Sequence, residues 1–251
     1  MRRFLSILIG IVSGCWVFAQ TPETAFAIIK KADERARGKT SMAEMTITTV
    51  RPKWTREMDV KVWTKGNDLA LILVRAPAKD KGTTFLKRKK EVWNWVPSLE
   101  RTIKLPPSMM SQSWMGTDFT NDDLVKESSM VEDYTQTLLG SDVQSGLPCH
   151  KLELVPKPDA AVVWGKVLVW IDKKDYMEMR VEFYDEDGYL SQTMVGSEQK
   201  LLGGKLLPSR MEMTPADKPD QHTVITYQSL VFDKPIDDAF FTTENMTQVG
   251  N

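Results

Sequence analysis

Apolar and polar residues alternate with a period of two over most of this chain, which predicts a protein built mainly from strands. Ala43, Met45 and Ile47 alternate with Glu44, Thr46 and Thr48, and Met58, Val60 and Val62 alternate with Asp59 and Lys61. Comparable runs cover residues 69–74, 83–87, 92–96 and 99–105, then 131–138, 149–155, 166–172, 179–184, 190–199, 206–214 and 224–232. Gly66-Asn67-Asp68, residues 87–91 and Asp187-Gly188 read as hairpin connections. So many strands at hairpin spacing predict one antiparallel sheet curled on itself.

The pattern breaks in three places. Residues 2–19 hold two arginines, an apolar run too short to span a bilayer, and small residues before polar Gln20-Thr21-Pro22-Glu23. That order predicts a secretory signal peptide cleaved after Ala19, leaving residues 20–251 as a single domain. Val12-Ser13-Gly14-Cys15 supplies the alternative of a lipid anchor on Cys15. Next, Thr21-Pro22-Glu23 is expected to open a helix, with Phe26, Ile29, Ala32 and Ala36 at helical spacing and Gly38 closing it. Finally, between Pro106 and Val125 the chain is apolar without period-two order, and Thr117–Leu124 resembles a short capped helix.

Charge and cysteine content narrow the partners. The formal net charge is −1, and removal of Arg2 and Arg3 with the signal makes it −3, so nothing points to nucleic acid. Cys149 would then be the one thiol of the exported domain, which must rely on its core rather than an internal disulfide. Lys87-Arg88-Lys89-Lys90 is the dense basic cluster, read either as a solvated hairpin tip or as a dock for anionic lipid or an acidic partner.

Candidate chemistry is sparse. His150 and His222 each sit within a strand-like run, and neither a Gly-x-Ser-x-Gly elbow nor metal-ligand spacing accompanies them, so no catalytic residue, metal or cofactor is assigned. Apolar bulk stands out instead. Trp93 and Trp95 share one face of a strand, and Met109, Met110, Trp114, Met115 and Phe119 crowd the irregular segment. These seven residues are either core under a loop or a lid over an apolar cavity, where methionine adapts to varied ligands and tryptophan adds contact area.

Several stretches resemble the LolA-like group of bacterial outer-membrane lipoprotein-sorting proteins. They are Pro77-Ala78-Lys79-Asp80-Lys81-Gly82-Thr83-Thr84-Phe85-Leu86, residues 92–101 with Trp93, Trp95, Pro97 and Arg101, and Met115-Gly116-Thr117-Asp118-Phe119 running on to Asp123-Leu124. Trp170-Ile171-Asp172 and Phe183-Tyr184-Asp185 add to it. The resemblance implies a mainly β fold with few helices: an incomplete antiparallel β-barrel of about eleven strands, with an N-terminal helix and a helical lid. It implies a non-enzymatic periplasmic carrier for lipid or acylated lipoprotein, served by an inner-membrane exporter and an outer-membrane acceptor. Arg75 and Arg101 are the candidates for the polar cavity contact. A secreted β-sheet hydrolase using His150 or His222, and a carbohydrate-binding or structural module presenting Trp93 and Trp95 on a flat face, remain as alternatives.

Overall fold

A computed structural model describes residues 23–125, 129–160 and 162–250; the signal-peptide and Cys15 expectations fall outside them. The helix α1 spans Ala25–Arg37. Its N-cap is Thr24, whose hydroxyl accepts from Ala27 N–H at 3.2 Å, three residues beyond the cap expected from Thr21. Gly38 ends it as expected, with φ +65° and its N–H returned to the Glu34 carbonyl. The buried stripe is Ile28, Ile29 and Ala32, while Phe26 is exposed. Ile28 replaces Phe26 because residues 28, 29 and 32 fall on a single helical face.

Thirteen antiparallel strands follow, matching one by one the thirteen period-two runs of the sequence and exceeding the eleven or so that the resemblance implies. They are β1 (Thr40–Arg51), β2 (Trp54–Lys65), β3 (Leu69–Ala76), β4 (Thr84–Arg88), β5 (Glu91–Val96) and β6 (Arg101–Lys104), then β7 (Tyr134–Gln144), β8 (Leu147–Pro156), β9 (Lys166–Asp172), β10 (Glu178–Tyr184), β11 (Leu190–Leu202), β12 (Lys205–Pro215) and β13 (His222–Phe232). All belong to one sheet in the order β6-β5-β4-β3-β2-β1-β13-β12-β11-β10-β9-β8-β7. It is unclosed: β6 and β7 are its two edges. Since the chain leaves at β6 and returns at β7, residues 105–125 and 129–133 belong to a crossing from one edge to the other. That crossing carries two short helices, α2 (Asn121–Val125) and α3 (Ser129–Glu132), and the chain ends in α4 (Thr243–Gly250).

Register fixes which side chains share a face. Ala43, Met45 and Ile47 stand opposite Val62, Val60 and Met58, and the row continues through Val74 and Ile72 to Phe85. This inner face joins a second set, Leu152, Leu154, Val167, Val169, Val181 and Phe183, which packs on Ile28 and Ile29 of α1. Ile225 touches both clusters, so the inner apolar lining is continuous across the sheet. The opposite, outer face carries Trp63, Leu71, Leu86 and Trp93 in one cross-strand row.

Candidate functional site

The crossing segment begins at the β6 edge and dips into the inner side. Ser113 bridges Thr120, and Trp114 N–H donates to the Phe119 carbonyl at 2.8 Å, so the segment forms a tight loop. Its two large side chains point into the two halves of the lining. Trp114, 1% exposed, packs on Phe85 with ring centroids 5.4 Å apart, among Met58, Val60 and Val74. Phe119, 4% exposed, joins α1 and the second cluster. Met115 is half-buried beside the first cluster, and its φ of +49° lets the loop reverse before Gly116. Met109 and Met110 are half-buried; their carbonyls accept from Asn121 Nδ2 at 2.9 Å and Asp122 N–H at 3.0 Å, which ties them to the start of α2.

Polar contacts fasten this loop to the sheet. Arg51, at the end of β1, makes a bidentate pair with Asp118, both bonds 3.0 Å, and donates to the Gly116 carbonyl at 3.2 Å. Both side chains are mostly buried. Thr223 of β13 donates to Asp118 at 2.6 Å and accepts from its backbone N–H at 3.0 Å. Arg56 of β2 donates to the Met115 carbonyl. Bidentate, charge-assisted bonds of this kind are directional and hold a loop in one orientation.

The end of the loop is capped. Thr120 and Asp123 exchange hydrogen bonds at 2.8 and 3.0 Å, a capping box with aspartate as the reciprocating acid, which bears out the expected short helix. Burial raises the Asp123 pKa above the ordinary carboxylate value, and bonds from Thr120 and Trp164 partly oppose that. The Tyr134 phenol beneath it is also pushed up, by burial first and then by the nearby Asp122, Asp133 and Asp123 charges.

Trp93 and Trp95 lie elsewhere. They are half-buried on the outer face, packed with Leu71, Leu86, Phe241 and Met246 under α4. The fit is close: a Cβ on Gly82 would meet the Gly250 carbonyl oxygen at 2.1 Å. The helix α4 spans only eight residues and ends in glycine, and no helix is expected there from the pattern of the chain. The structure therefore brings Trp114, Met115 and Phe119 together on the inner side and keeps Trp93 and Trp95 apart from them. Arg75 is on the outer face, 3.0 Å from Glu44, and Arg101 is exposed on edge strand β6. Arg51 and Arg56 are the arginines that reach the loop; no spacing in the sequence singles them out. His150 on β8 and His222 on β13 are separated by the four intervening strands of the sheet. Among the described residues, no group of three or more His, Cys, Asp or Glu could hold a metal, and no helix is long and apolar enough to cross a membrane.

A family model described as an uncharacterized protein matches residues 66–248. The same fold occurs in a LolA superfamily protein from Nitrosomonas europaea, 25% identical, with a TM-score of 0.77 over 89% of this chain and 99% of that one. The chain belongs to the LolA-like family. A domain from Vibrio parahaemolyticus described as an outer membrane lipoprotein-sorting protein is similar to this LolA-like chain to the same degree, with 25% identity, a TM-score of 0.77, and 89% and 98% of the two chains covered. A DUF1329 family protein from Desulfovibrio piger shares the fold with a TM-score of 0.81 at 22% identity, over 88% of this chain and 97% of that one. No curated protein matches the sequence. The LolA-like fold thus accounts for the unclosed sheet, with α1 and the crossing loop on its inner side.

Proposed function

We propose that the protein is an exported, non-enzymatic carrier that shelters the acyl chains of a lipid or lipoprotein against its inner face and moves them through the periplasm toward the outer membrane. One observation carries this reading: a continuous apolar lining is covered by α1 and a clamped loop rather than by a second sheet. Trp114 and Phe119 pack against the inner lining, the surface that acyl chains would use on this reading. Loading requires the loop to swing out, with the acyl chain replacing the buried rings. Burial of apolar surface at about 25 cal/mol per Å² then supplies the affinity. Each methylene sheltered from water is worth about 0.8 kcal/mol, which is why a free acyl chain needs a carrier at all. An exporter on the donor side and an acceptor at the outer membrane would set the direction by shifting the open–closed equilibrium.

The carbohydrate-platform reading needs Trp93 and Trp95 on an open face, and they lie beneath α4. A hydrolase would need His150 or His222 beside a nucleophile in a cleft; Ser141 stands opposite His150 across β7–β8, but it is exposed and its hydroxyl accepts from Lys173 Nζ. The test is to delipidate the protein and follow its thermal unfolding with an acylated peptide and with the same peptide lacking the acyl chain. Stabilisation by the acylated form alone is expected, together with co-purifying lipid detected by mass spectrometry in gently isolated protein. Equal response to both peptides, with no lipid recovered, overturns the carrier reading.

A further inference from the structure

An antiparallel meander sends alternate turns to opposite rims, and the two rims of this sheet differ in charge. One rim collects the C-terminal end of α1, the β2–β3 turn, the β4–β5 turn, the β9–β10 turn and the β11–β12 turn. Contacts tie these together: Gly66 N–H donates to the Lys39 carbonyl, Lys87 Nζ to the Asn67 carbonyl, and Lys205 Nζ to the Arg35 carbonyl. The acids on this rim are largely engaged by neighbouring bases. Asp33 pairs with Arg37, Asp175 with Arg35, Glu91 with Lys104 and Asp238 with Lys65, and Asp233 accepts the Lys39 N–H. Glu34 pairs with Lys30, and Asp68, Glu132 and Asp237 make no ion pair among the described residues. Against them stand Lys39, Arg88, Lys89, Lys90, Lys174 and Lys234, none engaged in a salt bridge among the described residues.

Three of these cations form one tip. Arg88, Lys89 and Lys90 are exposed and consecutive at the β4–β5 turn, and Lys89 has φ +54°, a conformation that glycine or asparagine adopts more readily. A turn that only had to reverse the chain would favour those residues over lysine. The opposite rim is mixed in sign and includes Asp185-Glu186-Asp187. A cleft of about 220 Å³ opens on this rim, lined by Lys30 and Arg37 against Asp33, Glu34 and Glu132, and Val131 of the inner cluster lies in its wall. The basic tip and this cleft therefore face the same direction.

We infer that this rim docks the protein onto an anionic phospholipid surface, with Arg88, Lys89 and Lys90 as the leading contacts and the cleft turned toward the bilayer. Juxtaposed lysines and arginines bind such surfaces additively through the local negative potential, and salt screens the attraction within about 8 Å at physiological ionic strength. The purpose of docking rests on the carrier reading, but the contact itself can be measured without cargo.

The experiment is co-sedimentation of delipidated protein with vesicles of phosphatidylcholine alone and of an equal mixture of phosphatidylcholine and phosphatidylglycerol. Binding is expected to the anionic vesicles only and to be lost in high salt. The triple variant Arg88→Gln, Lys89→Gln, Lys90→Gln is expected to weaken it on the order of 100-fold. A control variant with the same charge loss on the opposite rim (Lys53→Gln, Lys79→Gln, Lys81→Gln) should bind as the unaltered protein does. Absence of binding to anionic vesicles, equal binding to both vesicle types, or equal loss in the two variants overturns the proposal. Binding to soluble polyglutamate but not to vesicles also overturns it and gives the tip to an acidic protein partner. Docking without uptake of the acylated peptide would refute the carrier reading alone; uptake without docking would refute only the membrane contact.

Discussion

On the inner side of β2–β4, Trp114 packs on Phe85 and its loop is held from the periphery by Arg51, Asp118, Thr223 and Arg56. On the outer side of β2–β5, Phe241 and Met246 of the C-terminal segment pack on Leu71 and Leu86, with a Thr84 hydroxyl bond to the Met246 carbonyl, and Lys65 holds the segment through the Ile236 carbonyl and Asp238. Both covers bury large apolar side chains, but they differ in what opening would expose. Ion pairs and hydroxyl bonds exchange with water at modest net cost, and the proposed carrier role has an acyl chain take the place of Trp114 against Phe85. Nothing of that kind stands ready to replace Phe241. On the proposed carrier function, the inner cover exchanges and the outer one stays.

Truncating the anchors should give the largest effects. Phe241→Ala and Trp114→Ala should each lower unfolding free energy by about 3–5 kcal/mol in denaturant titrations. The acylated peptide should restore much of the loss in Trp114→Ala, because the vacated volume adjoins the lining, and none of it in Phe241→Ala. Equal rescue of both variants would break the comparison. Next in size is Arg51→Ala, which leaves the Asp118 carboxylate buried without its partner and should destabilise the loop by about 3 kcal/mol. Hydrogen exchange should accelerate over residues 106–120 and stay unchanged in α4; acceleration in both would show that the covers are coupled.

Asp123→Asn should act more weakly and with a defined pH dependence. Burial raises the Asp123 pKa, so the folded protein holds this proton more tightly than the unfolded chain does. Its favourable contribution is complete below the ordinary value of 3.8 and is lost as pH rises through the raised folded value. Asparagine keeps an oxygen for the capping bond and has no charge to bury. The variant should therefore gain stability over the parent protein as pH rises above 3.8, with the gain vanishing below it, in urea unfolding across a pH series. The smallest effect concerns Cys149, buried with its thiol pKa raised by burial. A thiol reagent should label it only after global unfolding, and labelling on the timescale of loop opening would show that motion reaches β8.

Much of the sheet was legible because period two survives wherever one strand face is buried, and all thirteen runs became strands. Period two also placed Trp93 and Trp95 on a common face, but it carries no sign for inner or outer. That choice depends on which segment later covers each side, and the outer cover is a helix of only eight residues, too short for its period to stand out. The lid segment was legible as apolar bulk around Trp114 and Phe119. Its fastening was not, because Arg51 lies 67 residues from Asp118 and 171 from His222, whose carbonyl it also approaches. Contacts at such separations are created by the β1–β13 pairing and leave no trace in local sequence.

The strands β6 and β7 never meet. In a closed barrel, strand number and stagger fix the girth. Here no ladder of hydrogen bonds spans the gap between those two edges, so the bore can widen by a change of twist without breaking backbone pairing. If the proposed carrier function holds, the calibre is then set by the cargo, and one sequence would accept passengers of unequal thickness.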